Sequence, residues 1–232
     1  MFPRGTSLAV GALLMAGVAG CGVVAKINNV RHAVDTNRSA IKLFTQDLRS
    51  GEATSFSATY VTTGGSPTTT TYAVKPPTDV AFVEVAQGSG TADFDLISNG
   101  SGEYSCTSAG ASSGWSCQKL GKAEAIAQNQ IVGFYTPSHW VAFLNAFSIA
   151  AGFAGDKVTT SSMTVNGFSM HCVDFNAKGV HGTSTICSTA QNILGYVKVA
   201  GDATSFELKS YSSSPAASLF QLPAGAKLTP AS

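Results

Sequence analysis

Ser55-Phe56-Ser57-Ala58-Thr59-Tyr60 is the stretch from which the fold can be read. Phe56, Ala58 and Tyr60 alternate with Ser55, Ser57 and Thr59, a period of two that makes a strand with one apolar and one polar face. Working outward, Gly64-Gly65-Ser66-Pro67 marks a turn and Thr68 to Val74 a second strand. Pro76-Pro77 interrupts the chain again. Val80 to Ala86 reads as a third strand and Gly88-Ser89-Gly90 as a turn, after which Ala92, Phe94 and Leu96 alternate with Asp93 and Asp95. Asn99-Gly100 is a hairpin signal. Tyr104 to Thr107 and Trp115 to Leu120 complete a meander of antiparallel strands, each with one face polar.

The flanking segments change period. From Asn29 to Leu48, Val30, Val34, Ile41, Phe44 and Leu48 recur on one helical face, with Arg31, Asp35, Arg38, Lys42 and Asp47 on the remainder. That amphipathic helix ends near Gly51. Ala123 to Tyr135 reads as another helix. Thr136 then serves as N-cap and Pro137 as first residue of a third, Ser138 to Phe153, and no Lys, Arg, Asp or Glu stands between Ser138 and Gly155. A helix apolar around most of its circumference must be covered on nearly all sides. At about 24 Å it falls short of the roughly 30 Å of a bilayer core. Two readings stay open: a central core helix, or a helix over the mouth of a curved sheet whose aromatic residues line a cavity. Strands resume over Val158 to Val165, Phe168 to Phe175, Thr183 to Ser188 and Ile193 to Val199, and Phe206 and Leu208 continue the alternation. No linker or repeat divides this span, so the fold class is α+β in one domain over residues 28–232.

Only 12% of the 232 residues are charged and the formal net charge is +1. Nothing in that balance favours nucleic acid as a partner. The chain has no His-Glu-x-x-His and no phosphate loop. Ser184, His181 and Asp174 sit on no recognisable nucleophile turn. The expectation is a protein that is not an enzyme, with no catalytic residue and no cofactor.

Arg4 is the only charge before Lys26, and a dense apolar run, Leu8 to Ala19, lies between them. This is the layout of an export signal. Val18-Ala19-Gly20-Cys21 resembles a bacterial lipobox. The resemblance implies a signal peptide over residues 1–20, cleavage before Cys21, a diacylglycerol on its sulfur, and a short lipidated tether over residues 21–27. The location implied is the extracytoplasmic face of the cell membrane, held there by the anchor. An uncut signal anchor, with the uncharged run Gly5 to Ala25 spanning the bilayer, is the other reading. Cys106, Cys117, Cys172 and Cys187 remain, an even number in an exported chain. Of the three pairings, Cys106–Cys117 and Cys172–Cys187 are favoured, because each closes a short loop flanked by strand-like sequence. A zinc set of His171, Cys172, His181 and Cys187 has irregular spacing and would compete with thiol oxidation, so no metal is expected.

The order lipobox, amphipathic helix, strand meander, apolar helical segment and strands resembles the LolA/LprG-like superfamily of bacterial envelope proteins, in its actinobacterial lipoprotein form. The likeness spans residues 28–228. It is carried by Trp115-Ser116-Cys117, Val165-Asn166-Gly167, Cys172-Val173, Ile193-Leu194-Gly195-Tyr196 and Phe220-Gln221-Leu222-Pro223. The resemblance implies an incomplete antiparallel β-barrel, a strongly curved sheet, with helices packed in its concave side. It also implies either of two roles: carriage of an acylated lipid or glycolipid, or adaptor or sensor work on an envelope protein partner. An acyl chain offers nothing polar to recognise, so its site needs volume and apolar lining. The candidates are Phe134, Trp140, Phe143, Leu144 and Phe147 from the helical segment, with Phe82, Phe94 and Leu96 from the strands opposite. The same side chains would serve equally to fill the interior.

Overall fold

The computed structural model describes residues 22–51, 54–64, 68–86, 93–108, 114–122, 124, 132–136, 139–146, 156–177 and 179–230. Within helix α1 it describes side chains from Asp35 onward, Ala40 excepted. Cys21, Ala92, Phe147, Phe153, the residue 1–20 signal, the Gly88-Ser89-Gly90 turn, Pro137 and most of the Ala123–Tyr135 helix lie outside the described residues, as do the side chains of Val30 and Val34.

Among the described residues one long helix and twelve strands carry the architecture: α1 (Gly22–Gly51), β1 (Phe56–Thr63), β2 (Thr68–Lys75), β3 (Asp79–Ala86), β4 (Asp93–Asn99), β5 (Gly102–Ser108), β6 (Ser116–Lys119), β7 (Lys157–Val165), β8 (Phe168–Asn176), β9 (Ser184–Thr189), β10 (Leu194–Lys198), β11 (Ser205–Ser212) and β12 (Lys227–Thr229). A 3-10 turn, Ala217–Phe220, precedes β12. Residues 139–146 form a further helical segment. All twelve strands join one sheet in the order β12-β6-β5-β4-β3-β2-β1-β11-β10-β9-β8-β7. The sheet is unclosed, since β12 and β7 stand at opposite ends of that order.

The sheet is strongly bent. The Tyr135 ring lies 5.2 Å from Phe82 of β3 and 5.4 Å from Phe206 of β11. In a flat sheet those two strands would stand about 14 Å apart. Asn166, in the β7–β8 turn, likewise donates a hydrogen bond of 2.9 Å to the Leu208 carbonyl of β11, across strands that the order separates by β9 and β10. Register shifts at Thr59/Tyr60 and at Leu194/Tyr196 insert extra residues, and such bulges sharpen twist and bend. Asn166 and Gly167, with φ of 52° and 85°, make the tight turn that an Asn-Gly pair favours.

Register assigns the faces. Tyr72, Phe82 and Leu96 stand opposite one another across β2, β3 and β4 and share the inner face. Ala73, Ala81, Ile97 and Tyr104 share the outer one. The sequence reading leaves one face of each strand polar, and here the structure differs. Leu219 and Phe220 cover Ala73 and Ala81, while Leu222 and Ala226 cover Tyr104 and the Cys106–Cys117 pair. The C-terminal tail thus gives β2 to β6 a second, outer core. It ends in β12, which pairs parallel with β6, the one parallel pairing among the described strands of a sheet expected to be wholly antiparallel.

On the inner side Ile41, Phe44 and Leu48 of α1 join the main core with Val158, Val173, Ile186 and Leu194. The expected periodicity therefore packs over this half of α1. The helix starts at Gly22, earlier than Asn29, and takes in the segment read as a tether. Asn37, 3% exposed, ties the helix to the start of β7 by accepting from the Val158 N–H (3.3 Å) and donating to the Asp156 carbonyl (3.4 Å). Cys106 bonds Cys117 and Cys172 bonds Cys187, each pair directly opposed on neighbouring strands.

Candidate functional site: an apolar groove beside an aromatic plug

The sequence-derived lining residues separate into two environments. Phe134, with Tyr135, which was not among the sequence candidates, follows the helical residues 132–133, and both rings point into the bend of the sheet. Tyr135 has ring contacts with Tyr60 (5.6 Å), Tyr72 (5.7 Å), Phe82, Phe206 and Phe134 (5.2 Å). Phe134 meets Phe206 edge to face at 5.1 Å and Trp140 at 5.1 Å. Such pairs contribute about 0.5–1.5 kcal/mol each beyond the area they bury. The polar ends are satisfied as well: the Tyr60 hydroxyl donates to the Leu194 carbonyl (3.1 Å) and the Trp140 indole N–H to the Phe134 carbonyl. Burial pushes the Tyr60 hydroxyl well above its ordinary range and that of Tyr135 up to about 12, so neither ionises at neutral pH. The bend at this point is filled by rings.

Leu144 is fully buried in the same core. Phe94 packs edge to face on Phe82 at 6.2 Å. Leu96 faces a separate hollow of about 280 Å³ that it shares with Tyr72, Val80, Val132 and Tyr104.

Trp140 and Phe143 do something different. Their rings touch at 5.6 Å, and together they wall a groove of about 410 Å³ whose other side is Phe175 of β8, Ile186 of β9 and Val197 of β10. Val180 and Val199 form its rim. Phe143, Val180 and Val199 are 46%, 50% and 55% exposed, among the most exposed large apolar side chains described. Among the described residues Lys198 is the one charged member of the lining, and because it follows the inward-facing Val197 its side chain leaves the opposite face of the sheet, with Thr185 and Asp174. The volume falls in the roughly 300–1,000 Å³ range of small-molecule sites. Phe175, Ile186 and Val197 were not among the sequence candidates. Their signal was present in the strand alternation, but which strand faces the helix depends on the sheet order.

The catalytic set considered from sequence is dispersed. Asp174 pairs with Thr185 and Ser184 with Phe175 across β8 and β9, so Asp174 and Ser184 leave opposite faces of the sheet. The Asp174 carboxylate accepts from Thr185 (2.7 Å), and the Ser184 Oγ accepts from the Ala200 N–H (2.9 Å). For the zinc set, Cys172 and Cys187 are bonded to each other. Among the described residues no group of three or more His, Cys, Asp and Glu is placed to hold a metal ion.

No protein-family model matches the chain, and no curated protein sequence does either. Solved structures with similar backbones include an uncharacterized conserved protein from Thermus thermophilus, at 6% identity and a TM-score of 0.46, covering 82% of this chain and 98% of that one. Another is the MucA/MucB complex of Pseudomonas aeruginosa, at 10% identity and a TM-score of 0.45, covering 78% of this chain and 60% of that one. Disulfides form and persist in oxidising compartments outside the cytosol, and the two bonds here fit such a location. Among the described residues no helix is long and apolar enough to cross a membrane.

Proposed function

We propose that this chain is a non-catalytic, extracytoplasmic binding lipoprotein of the LolA/LprG kind, anchored through Cys21, that takes one hydrocarbon chain of an amphiphilic envelope lipid into the groove between Trp140 and β8–β10. The observation that carries the reading is the groove itself: about 410 Å³, lined almost wholly by apolar side chains, with three of them more than two-fifths exposed. Leaving such side chains in water costs about 25 cal/mol for each Å² of apolar surface, which a hydrocarbon chain would recover. The deeper cavity that a wholly enclosed cargo would need is occupied by the Tyr135 plug, so the bound chain lies along the groove with its head in solvent. The test is mass spectrometry of organic extracts of the protein purified from a lipid-producing host. Acylated species in stoichiometric amount support the proposal, and repeatedly empty extracts contradict it.

The filled aromatic interior favours one second reading, an adaptor of the same fold whose groove takes apolar side chains of an envelope protein. In that case crosslinkers placed at the rim, at Val180 or Val199, capture a protein in the intact envelope, and the extracts contain no lipid.

A further inference from the structure

The flank of α1 holds a second groove, of about 330 Å³, lined by Arg38, Lys42, Arg49, Thr45 and Gln46 of α1 and by Asn145 of the 139–146 helix. Positions 38, 42 and 49 fall within about 40° of one another around a helix, so the three cations form one stripe about 16 Å long. All three are exposed, and no carboxylate lines the groove. Among the described residues no ion pair neutralises them. The charge distribution has the same sense. Helix α1 carries Lys26, Arg31, Arg38, Lys42 and Arg49 against Asp35 and Asp47, a net of +3, while residues 52–232 carry eight Lys and no Arg against eleven Asp and Glu, a net of −3.

We infer that α1 lies along the surface of an anionic bilayer, with Arg38, Lys42 and Arg49 against the lipid phosphates. The inference rests on the anchored reading for the position of the helix, because α1 begins at Gly22, the residue after Cys21. An upright helix would hold Arg38 about 25 Å above the anchor, beyond the screening length of about 8 Å at physiological salt. A helix lying flat brings all three cations within reach. Asn145 and the pair Trp140 and Phe143 belong to one helical segment of eight residues, about 12 Å long, so the cationic groove and the apolar groove flank the same short helix on opposite sides.

The chain beginning at Gly22 keeps every described element and carries no acyl group or leader. Its sedimentation with vesicles therefore reads the α1 surface alone, and the mass of the N-terminal peptide of the full chain reads Cys21 separately. At low salt the Gly22 chain should bind phosphatidylcholine vesicles containing phosphatidylglycerol at least tenfold more tightly than phosphatidylcholine alone, and salt should release it. The triple variant Arg38→Gln, Lys42→Gln, Arg49→Gln should lose at least tenfold. The exposed-site control Lys75→Gln, Lys209→Gln, Lys227→Gln should stay within about twofold, which separates a located stripe from net charge. Equal binding to both vesicle types, no binding to either, or equal losses in the two triple variants would overturn the inference.

Discussion

Gly51 has no room for a β-carbon. One built there would stand 2.1 Å from the Asn192 carbonyl oxygen, a backbone atom in the β9–β10 turn that cannot swing aside. The last residue of α1 is therefore the point at which helix and sheet touch backbone to backbone. Gly51→Ala should cost about 1–3 kcal/mol of unfolding free energy, measured by denaturant titration, and an unchanged midpoint would show that α1 docks loosely. Asp95 is a second residue with a particular environment. It is 7% exposed on the outer face, opposite Cys106, and its Oδ1 has no hydrogen-bond partner. Burial, then the charge of nearby Asp93, raises its pKa to about 6. A carboxyl group so raised favours folding while it is protonated, and that contribution is lost as the pH climbs through 6. Wild type should accordingly lose stability relative to Asp95→Asn between about pH 4 and about pH 7, by roughly 1 kcal/mol once solvent screening is allowed for. Parallel pH–stability curves for the two proteins would contradict this environment.

At the scale of elements, the turn carrying Tyr135 and the cross-strand disulfides are the main fixed points. Tyr135→Ala removes a ring that five others contact, and it should destabilise by about 3–5 kcal/mol as large core truncations do. The lost packing should register in the near-ultraviolet circular dichroism. The Cys172–Cys187 bond closes a loop of separation 15, so its replacement by Cys172→Ser with Cys187→Ser should cost about 3 kcal/mol, and a loss near zero would mean that the β7–β9 ladder is already restrained without it. The elements themselves were readable because their signals are local. Period-two runs gave most strands to within a residue or two, and Val165-Asn166-Gly167-Phe168 placed its turn from turn chemistry alone. Strand β12 was not readable: Lys227-Leu228-Thr229 has no alternation to speak of, and it is a strand only because β6 offers a free edge. Asp95 misled for a related reason. Alternation with Phe94 and Leu96 implies a solvated face, but the tail around Phe220 and Leu222, far along the chain, covers that side of the sheet.

For the whole molecule, the bend of the sheet divides the apolar helical segment between two tasks. Tyr135 and Phe134 fill the bend, and Trp140 and Phe143 border the open groove. Sequence alone named Phe134 of the plug and Trp140 and Phe143 of the rim, but not Tyr135, which stands before the charge-free run from Ser138 to Gly155. It did not distinguish plug from rim, since that depends on which strands stand opposite, and the order β1-β11-β10-β9-β8 is set by long-range pairing. Filling the groove while keeping the plug separates the two roles. Ala177 and Ala200 line the groove and are half-buried, so bulky replacements there can enter it without disturbing Tyr135. The most direct measurement is a titration of a fluorescent acyl probe into the wild-type protein and into Ala177→Trp with Ala200→Trp. Saturable, one-to-one binding that falls at least tenfold in the filled variant, with thermal midpoints alike, is the predicted result. Binding that is absent in wild type, or equal in both proteins, would contradict the assignment of the groove to a hydrocarbon chain.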